Sequence, residues 1–218
     1  MRSDDMARAG QSKQVARPRR RRAPSPDERR IDPERSRRAL LDAALEEFAA
    51  HGFAGTTVRA IAARAGVSKD LINYYFGGKA ELYREVQRRW LERDATFRDP
   101  GLPLADLAAR YLNDALSDPR AIRLLAWRGL SSHAEQPPDL APESEDLTSM
   151  VSRQESGEIA SDIDPAALRL ILIGAIAAPA LMPHVVHRLF GADVASAEFS
   201  QRYEATLRAV ITHLRPTE

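Results

Sequence analysis

The 218-residue chain contains no cysteine, which rules out disulfides, thiolate nucleophiles, zinc ribbons and iron–sulfur clusters and suits a reducing compartment. Aromatic residues make up only 6%, and the β-branched runs that strands favour are missing. With 44% hydrophobic and 29% charged side chains, rich in Ala, Leu and Arg, the composition predicts an all-α protein. No phosphate-binding loop, nucleotide-binding glycine pattern or His-rich metal motif occurs, so neither an enzyme nor a cofactor is expected. The N-terminal stretch lacks the apolar segment of a secretory leader. The uncharged apolar run from Leu170 to Pro183 is shorter than the roughly 20 residues a bilayer crossing needs, and it holds Pro179 and Pro183. A cytoplasmic protein without a membrane partner is expected.

Net positive charge is confined to one segment. The net charge is +1, yet residues 1–31 carry ten basic and four acidic side chains, leaving about −5 for residues 32–218. The run Arg17-Pro18-Arg19-Arg20-Arg21-Arg22-Ala23-Pro24 has no periodic apolar face, which predicts a disordered basic arm over residues 1–31. Such an arm can track phosphates or enter a minor groove, or it can simply solubilise the chain.

Helical periodicity begins at Asp32. Leu40, Leu41, Ala44, Leu45 and Phe48 form an apolar stripe that should end at His51-Gly52, where glycine can take the left-handed conformation. Thr57 then caps a two-turn helix carrying Val58, Ile61, Ala62 and Ala65, which stops at Gly66. Val67-Ser68 restarts the chain, and Leu71, Ile72, Tyr75 and Phe76 make the apolar side of a second short helix. Two short helices around a tight glycine turn are a helix-turn-helix, with small Ala62 allowing a close crossing and Val67 filling the corner. After Gly77-Gly78, Lys79 opens a long linking helix through Leu82, Tyr83, Val86, Trp90 and Phe97, and Asp99-Pro100-Gly101 marks a module boundary. Further helices are expected over about 104–117, 119–132, 142–156, 165–189 and 195–214, with a loop from Ala134 to Pro142. The stripe Phe199, Tyr203, Leu207, Val210, Ile211 and Leu214, together with the all-round apolar helix near 165–189, suggests a homodimer face.

The residues Ala39-Leu40-Leu41-Asp42-Ala43-Ala44-Leu45-Glu46-Glu47-Phe48, Gly52-Phe53, Thr56-Thr57-Val58-Arg59-Ala60-Ile61-Ala62, Ala65-Gly66-Val67-Ser68-Lys69 and Tyr75-Phe76-Gly77-Gly78-Lys79-Ala80-Glu81-Leu82 resemble the TetR family of transcriptional regulators. The resemblance covers roughly residues 36–86. It implies a three-helix DNA-binding module, here residues 32–94, on a helical effector-binding and dimerisation domain, residues 95–218, whose last two helices form a four-helix bundle with a partner copy. It also implies a repressor released from operator DNA by a small-molecule effector. Arg37, Thr57, Tyr74 and Lys79 match family positions that contact phosphate, while Ser68, Lys69, Asp70 and Asn73 lie on the exposed face of the second short helix. Asp70 departs from the small residue common at that position. It can accept a hydrogen bond from cytosine N4 or point away from DNA. Gly78 replaces a common serine and is a weaker cap.

Tyr111, Arg123, Trp127 and Met150, apolar bodies with a few polar tips, are the candidate effector-binding residues. Ordinary packing, or a solvated surface for Arg123, explains them as well. His184 and His187 lack a nearby carboxylate, so no metal is expected. A different class, an effector-independent nucleoid or division factor using the same module, would bind many sites and ignore metabolites.

Overall fold

The computed structural model describes residues 33–131 and 147–216; the arginine-rich arm and the Ala134–Pro142 loop fall outside them. Among the described residues there are ten helices: α1 (Pro33–Gly55), α2 (Val58–Ala65), α3 (Asp70–Phe76), α4 (Lys79–Phe97), α5 (Leu104–Ser117), α6 (Arg120–Leu130), α7 (Thr148–Glu155), α8 (Pro165–Leu181), α9 (Pro183–Phe190) and α10 (Ala197–Thr212).

Two apolar cores organise them. The first joins Leu40, Leu41, Ala44 and Phe48 of α1 to Ile61 and Ala62 of α2, Ile72 and Phe76 of α3, and Leu82, Tyr83 and Val86 of α4. Phe48 and Phe53 both set their rings edge-on to Tyr83, with centroids 4.9 and 5.2 Å away, a geometry that adds to simple burial. Leu124 of α6 enters the same core, so this α-helical head is tied to the rest of the chain from within. The second core gathers Leu104, Ala108 and Leu112 of α5, Met150 of α7, Ile159, Leu168 of α8, and Leu207 and Ile211 of α10.

The region near 165–189 is two helices rather than one. The chain turns by 86° between α8 and α9 because Pro183 has no N–H to continue α8 and disfavours helical backbone at Met182, which sits at φ −126°, ψ 53°. Proline recurs inside α8 at Pro179, which is almost fully buried and cannot donate to the carbonyl of Ala175. The orphaned carbonyl is satisfied from another helix: the Tyr203 hydroxyl of α10 donates to Ala175 O at 2.8 Å. Burial at this contact raises the Tyr203 pKa. Tyr203→Phe removes that donor while keeping the ring packed against Phe199 and Phe190. It should therefore lower stability by about 1–2 kcal/mol in urea unfolding with an unchanged m-value; an unchanged midpoint would mean that water reaches the carbonyl.

The α10 stripe is directed differently from the sequence expectation. Phe199, Leu207 and Ile211 are buried in the chain's own interior, and of the six stripe residues Val210 is the one left largely exposed. An amphipathic stripe shows that a face is covered but not by what. Along α8, which the sequence also placed in that face, Leu170 and Ile171 are 70% and 65% exposed, with Gly174 and Leu181 following at helical spacing. Among the described residues no single helix is long and apolar enough to cross a membrane.

Candidate nucleic-acid interface and its coupling to the helical domain

The helix-turn-helix is built by local capping. Thr57 takes extended backbone, and its Oγ1 accepts from Ala60 N at 3.1 Å to start α2. Gly66 ends it at φ +68°, with Val67 N closing onto Ala62 O at 3.1 Å, the hydrogen-bond pattern of a left-handed glycine terminus. Space is not the constraint at Gly66, since a Cβ there would meet nothing within 4 Å. Ser68 opens α3 by accepting from Asp70 N at 3.3 Å, and its hydroxyl also lies 3.4 Å from Asp70 Oδ2. Asp70 is thus turned back on the first turn of its own helix. A carboxylate there favours the positive helix start.

On the outer side of α3, Lys69, Asn73 and Tyr74 are exposed, Tyr74 by 79%. Lys69 and Asn73 are one turn apart, and Tyr74 flanks them. Thr57, also exposed, uses an oxygen lone pair for its cap, and that contact leaves its O–H unused. Two other candidates also have partners within the fold. Arg37 pairs with Glu85 of α4 at 2.5 Å and stands 5.4 Å over the Phe76 ring, joining α1, α3 and α4. Lys79 places its ammonium 4.3 Å over Phe53, and burial lowers its pKa. Arg59, exposed in the first turn of α2, was not singled out by the sequence; the signal available was a basic residue two places after a capping threonine. Arg64, by contrast, is bound to Glu47 at 2.6 Å.

Two contacts couple this head to the helices beyond it. Trp127 of α6 lies on Gly52 of α1 and donates its indole N–H to Ala49 O at 3.2 Å. Arg120, at the start of α6, reaches Glu46 of α1 at 2.9 Å.

Of the four residues expected to bind an effector, Tyr111 lines a cavity in the middle of the helical domain. This partly open space of about 60 Å³ lies between α4, α5, α6 and α8 and is bordered by Trp90, Asp94, Phe97, Tyr111, Asp114 and Ile176, among others. The Tyr111 hydroxyl donates to Asp94 Oδ1 at 2.8 Å, and burial together with that carboxylate pushes its pKa up to about 12. Trp127 is at the α1 junction, Met150 is core, and Arg123 is exposed. Trp90, Arg93, Asp94 and Phe97 lie at i, i+3, i+4 and i+7 on one face of α4; of these the sequence pattern marks Trp90 and Phe97, and as helix stripe only. A larger, open hollow of about 420 Å³ is lined by the 100–103 turn, Arg153, Glu158 and Arg215. Its Arg153 is tied to Glu158 and to Leu102 O. His184 and His187 are exposed, and no group of three potential metal ligands gathers among the described residues.

A capped helix-turn-helix with polar side chains on its second helix, continued directly into a long helix, defines a DNA-binding regulator of transcription. The chain belongs to the TetR family. Residues 40–86 match the family described as bacterial regulatory proteins, tetR family, and residues 103–212 match the tetracyclin repressor-like C-terminal domain. The HTH-type transcriptional repressor SCO4008 of Streptomyces coelicolor is 31% identical over 150 residues, 67% of this chain and 78% of that protein. The HTH-type transcriptional regulator RutR of Escherichia coli O157:H7 is 32% identical over 196 residues, 83% and 91% of the two chains. In fold, the Streptomyces coelicolor protein SCO4942 superposes with a TM-score of 0.65 at 26% identity, covering 84% of this chain and 99% of its own. A gamma-butyrolactone receptor described as ArpA-like shares the fold at a TM-score of 0.54 and 21% identity, covering 84% and 99%. The relatives in sequence are regulators of transcription rather than enzymes.

Proposed function

We propose that the chain is a homodimeric bacterial repressor that holds an inverted-repeat operator and releases it when a small molecule enters the cavity beside Tyr111. The observation that carries this is a single continuous helix. The first residue of α4 follows the recognition helix by two glycines, and its last two turns wall the cavity. A ligand that fits only a widened cavity favours a different setting of α4, and that differential affinity is what release requires. Lys69 and Asn73 are assigned to base edges, with Tyr74, Thr57, Ser68 and Arg59 on phosphates. Arg37 and Lys79 are assigned to phosphates through the N–H donors that Glu85 and Phe53 leave unused. Asp70 shapes the helix start. The exposed face of α8, with Val210 of α10 beside it, supplies the dimer contact, and a DNA partner places the protein in the cytoplasm.

Footprinting on genomic operator fragments tests the assignment. The expected pattern is two protected half-sites about one helical turn, or a multiple of it, apart; protection without symmetry, spread over many sequences, would instead mark an architectural DNA-binding factor. Charge on the head itself is nearly balanced, with seven basic and six acidic side chains over residues 32–79, so the arm is assigned a phosphate role. Deleting residues 1–31 should weaken operator binding and reduce the dependence of log K on log salt, with sequence preference unchanged. An unaltered salt slope would remove the arm from binding.

A further inference from the structure

We propose that the ligand of the Tyr111 cavity is an organic cation with an apolar, ring-sized body, and that its positive group replaces the Arg93 guanidinium at Asp114. This deepens the effector-site assignment and rests on it.

The charges at the cavity are unequal. Three carboxylates line it, those of Asp94, Asp114 and Asp118, against one basic side chain, Arg93. Two of the three hold a cation from outside the lining: Asp94 is 2.9 Å from Arg98, and Asp118 is 2.7 Å from Arg120. Among the described residues Asp114 has Arg93 alone as its cationic partner, and the same guanidinium lies 3.8 Å from Asp118. Burial works against the Asp114 carboxylate and raises its pKa, Arg93 opposes the shift, and Asp118 adds to it.

At about 60 Å³ the cavity holds no more than a few waters, so an incoming molecule must move a side chain. Arg93 can go, because its side chain is 48% exposed and can swing into solvent. Its departure leaves two neighbouring carboxylates without that countercharge, which a neutral or anionic molecule cannot offset and a cation can. The walls suit such a body. Trp90, Phe97 and Tyr111 present aromatic surface, and guanidinium groups already lie over Phe97, Arg110 at 4.6 Å and Arg93 at 5.8 Å, as cations do on ring faces. Arg93 belongs to α4, so handing Asp114 to a ligand also cuts a tie between α4 and α5.

Three probes of one shape and different charge test this on the full-length protein: benzyltrimethylammonium, its neutral carbon isostere neopentylbenzene, and phenylmethanesulfonate. Binding is read by Trp fluorescence and thermal shift at millimolar probe, and operator release by anisotropy. The ammonium should bind about tenfold or more tightly than either of the others. Asp114→Asn should erase the preference. Arg93→Met, which removes the internal competitor, should tighten ammonium binding about tenfold, a gain that a merely structural Arg93 would not give. Equal binding of the three probes, no binding of any, or no gain in Arg93→Met overturns the proposal. Release by the neutral or anionic probe overturns the ligand class while leaving the effector site standing. Ammonium binding that depends on Asp114 but leaves the operator bound supports the ligand class and sinks the effector assignment.

Discussion

Ile171→Arg should sediment as a monomer and lose about 100-fold or more in operator affinity, with its own melting temperature little changed. Ile171 is 65% exposed in the isolated chain and contributes little to the protomer's interior. Beside it Leu170 is 70% exposed, and Gly174, one turn on, has nothing within 4 Å of where a Cβ would stand. A helix face that is apolar, exposed and thinned by glycine lets a second backbone approach closely. Two arginines brought together across a twofold axis would be buried as like charges. The loss at the operator is larger than any single contact implies, since a dimer binds its second half-site as an intramolecular event, and that advantage runs to about 10²–10⁴. A dimer that survives Ile171→Arg would shift the interface off α8.

The contrast between α8 and α10 shows where sequence periodicity carries information and where it stops. Capping residues and glycines act over three or four positions, so Thr57, Gly66 and the break at Gly77-Gly78 could be placed from the chain alone. The helix-turn-helix follows from them, and the all-α class follows from composition. The direction of an apolar stripe does not, because Phe199, Leu207 and Ile211 would look the same facing α5 or a partner subunit. The bend at Pro183 was legible, as the proline is in the sequence, but the run of apolar residues on both sides of it masked the break. Arg37 and Lys79 illustrate a second boundary. Their partners, Glu85 and Phe53, lie 48 and 26 positions away, and no local pattern announces a cation over a ring. The cavity was missed for the same reason: of its eleven lining residues four come from α4, three from α5 and the other four from Asp118, α6 and α8, so no single stretch of sequence holds it.

Gly52→Ala should cost about 2–4 kcal/mol, a large fraction of the stability of a domain this size. Two separate penalties combine. At φ +68°, ψ 178° Gly52 occupies backbone that residues with a Cβ scarcely enter, which alone costs of order 1–3 kcal/mol. The added methyl carbon would also lie 3.0 Å from two atoms of the Trp127 indole. That ring cannot easily retreat, because its N–H is held by Ala49 O and Arg120 fixes the other end of α6 to Glu46. A double-mutant cycle separates the two penalties. With Trp127→Ala the ring is gone, so adding Gly52→Ala should then cost only the backbone part, leaving a coupling of about 1 kcal/mol. Strict additivity would mean that the indole yields freely and that α1 and α6 are not rigidly joined. Full coupling would make this contact, rather than α4 alone, a second route by which movement of the effector helices reaches the DNA-binding head.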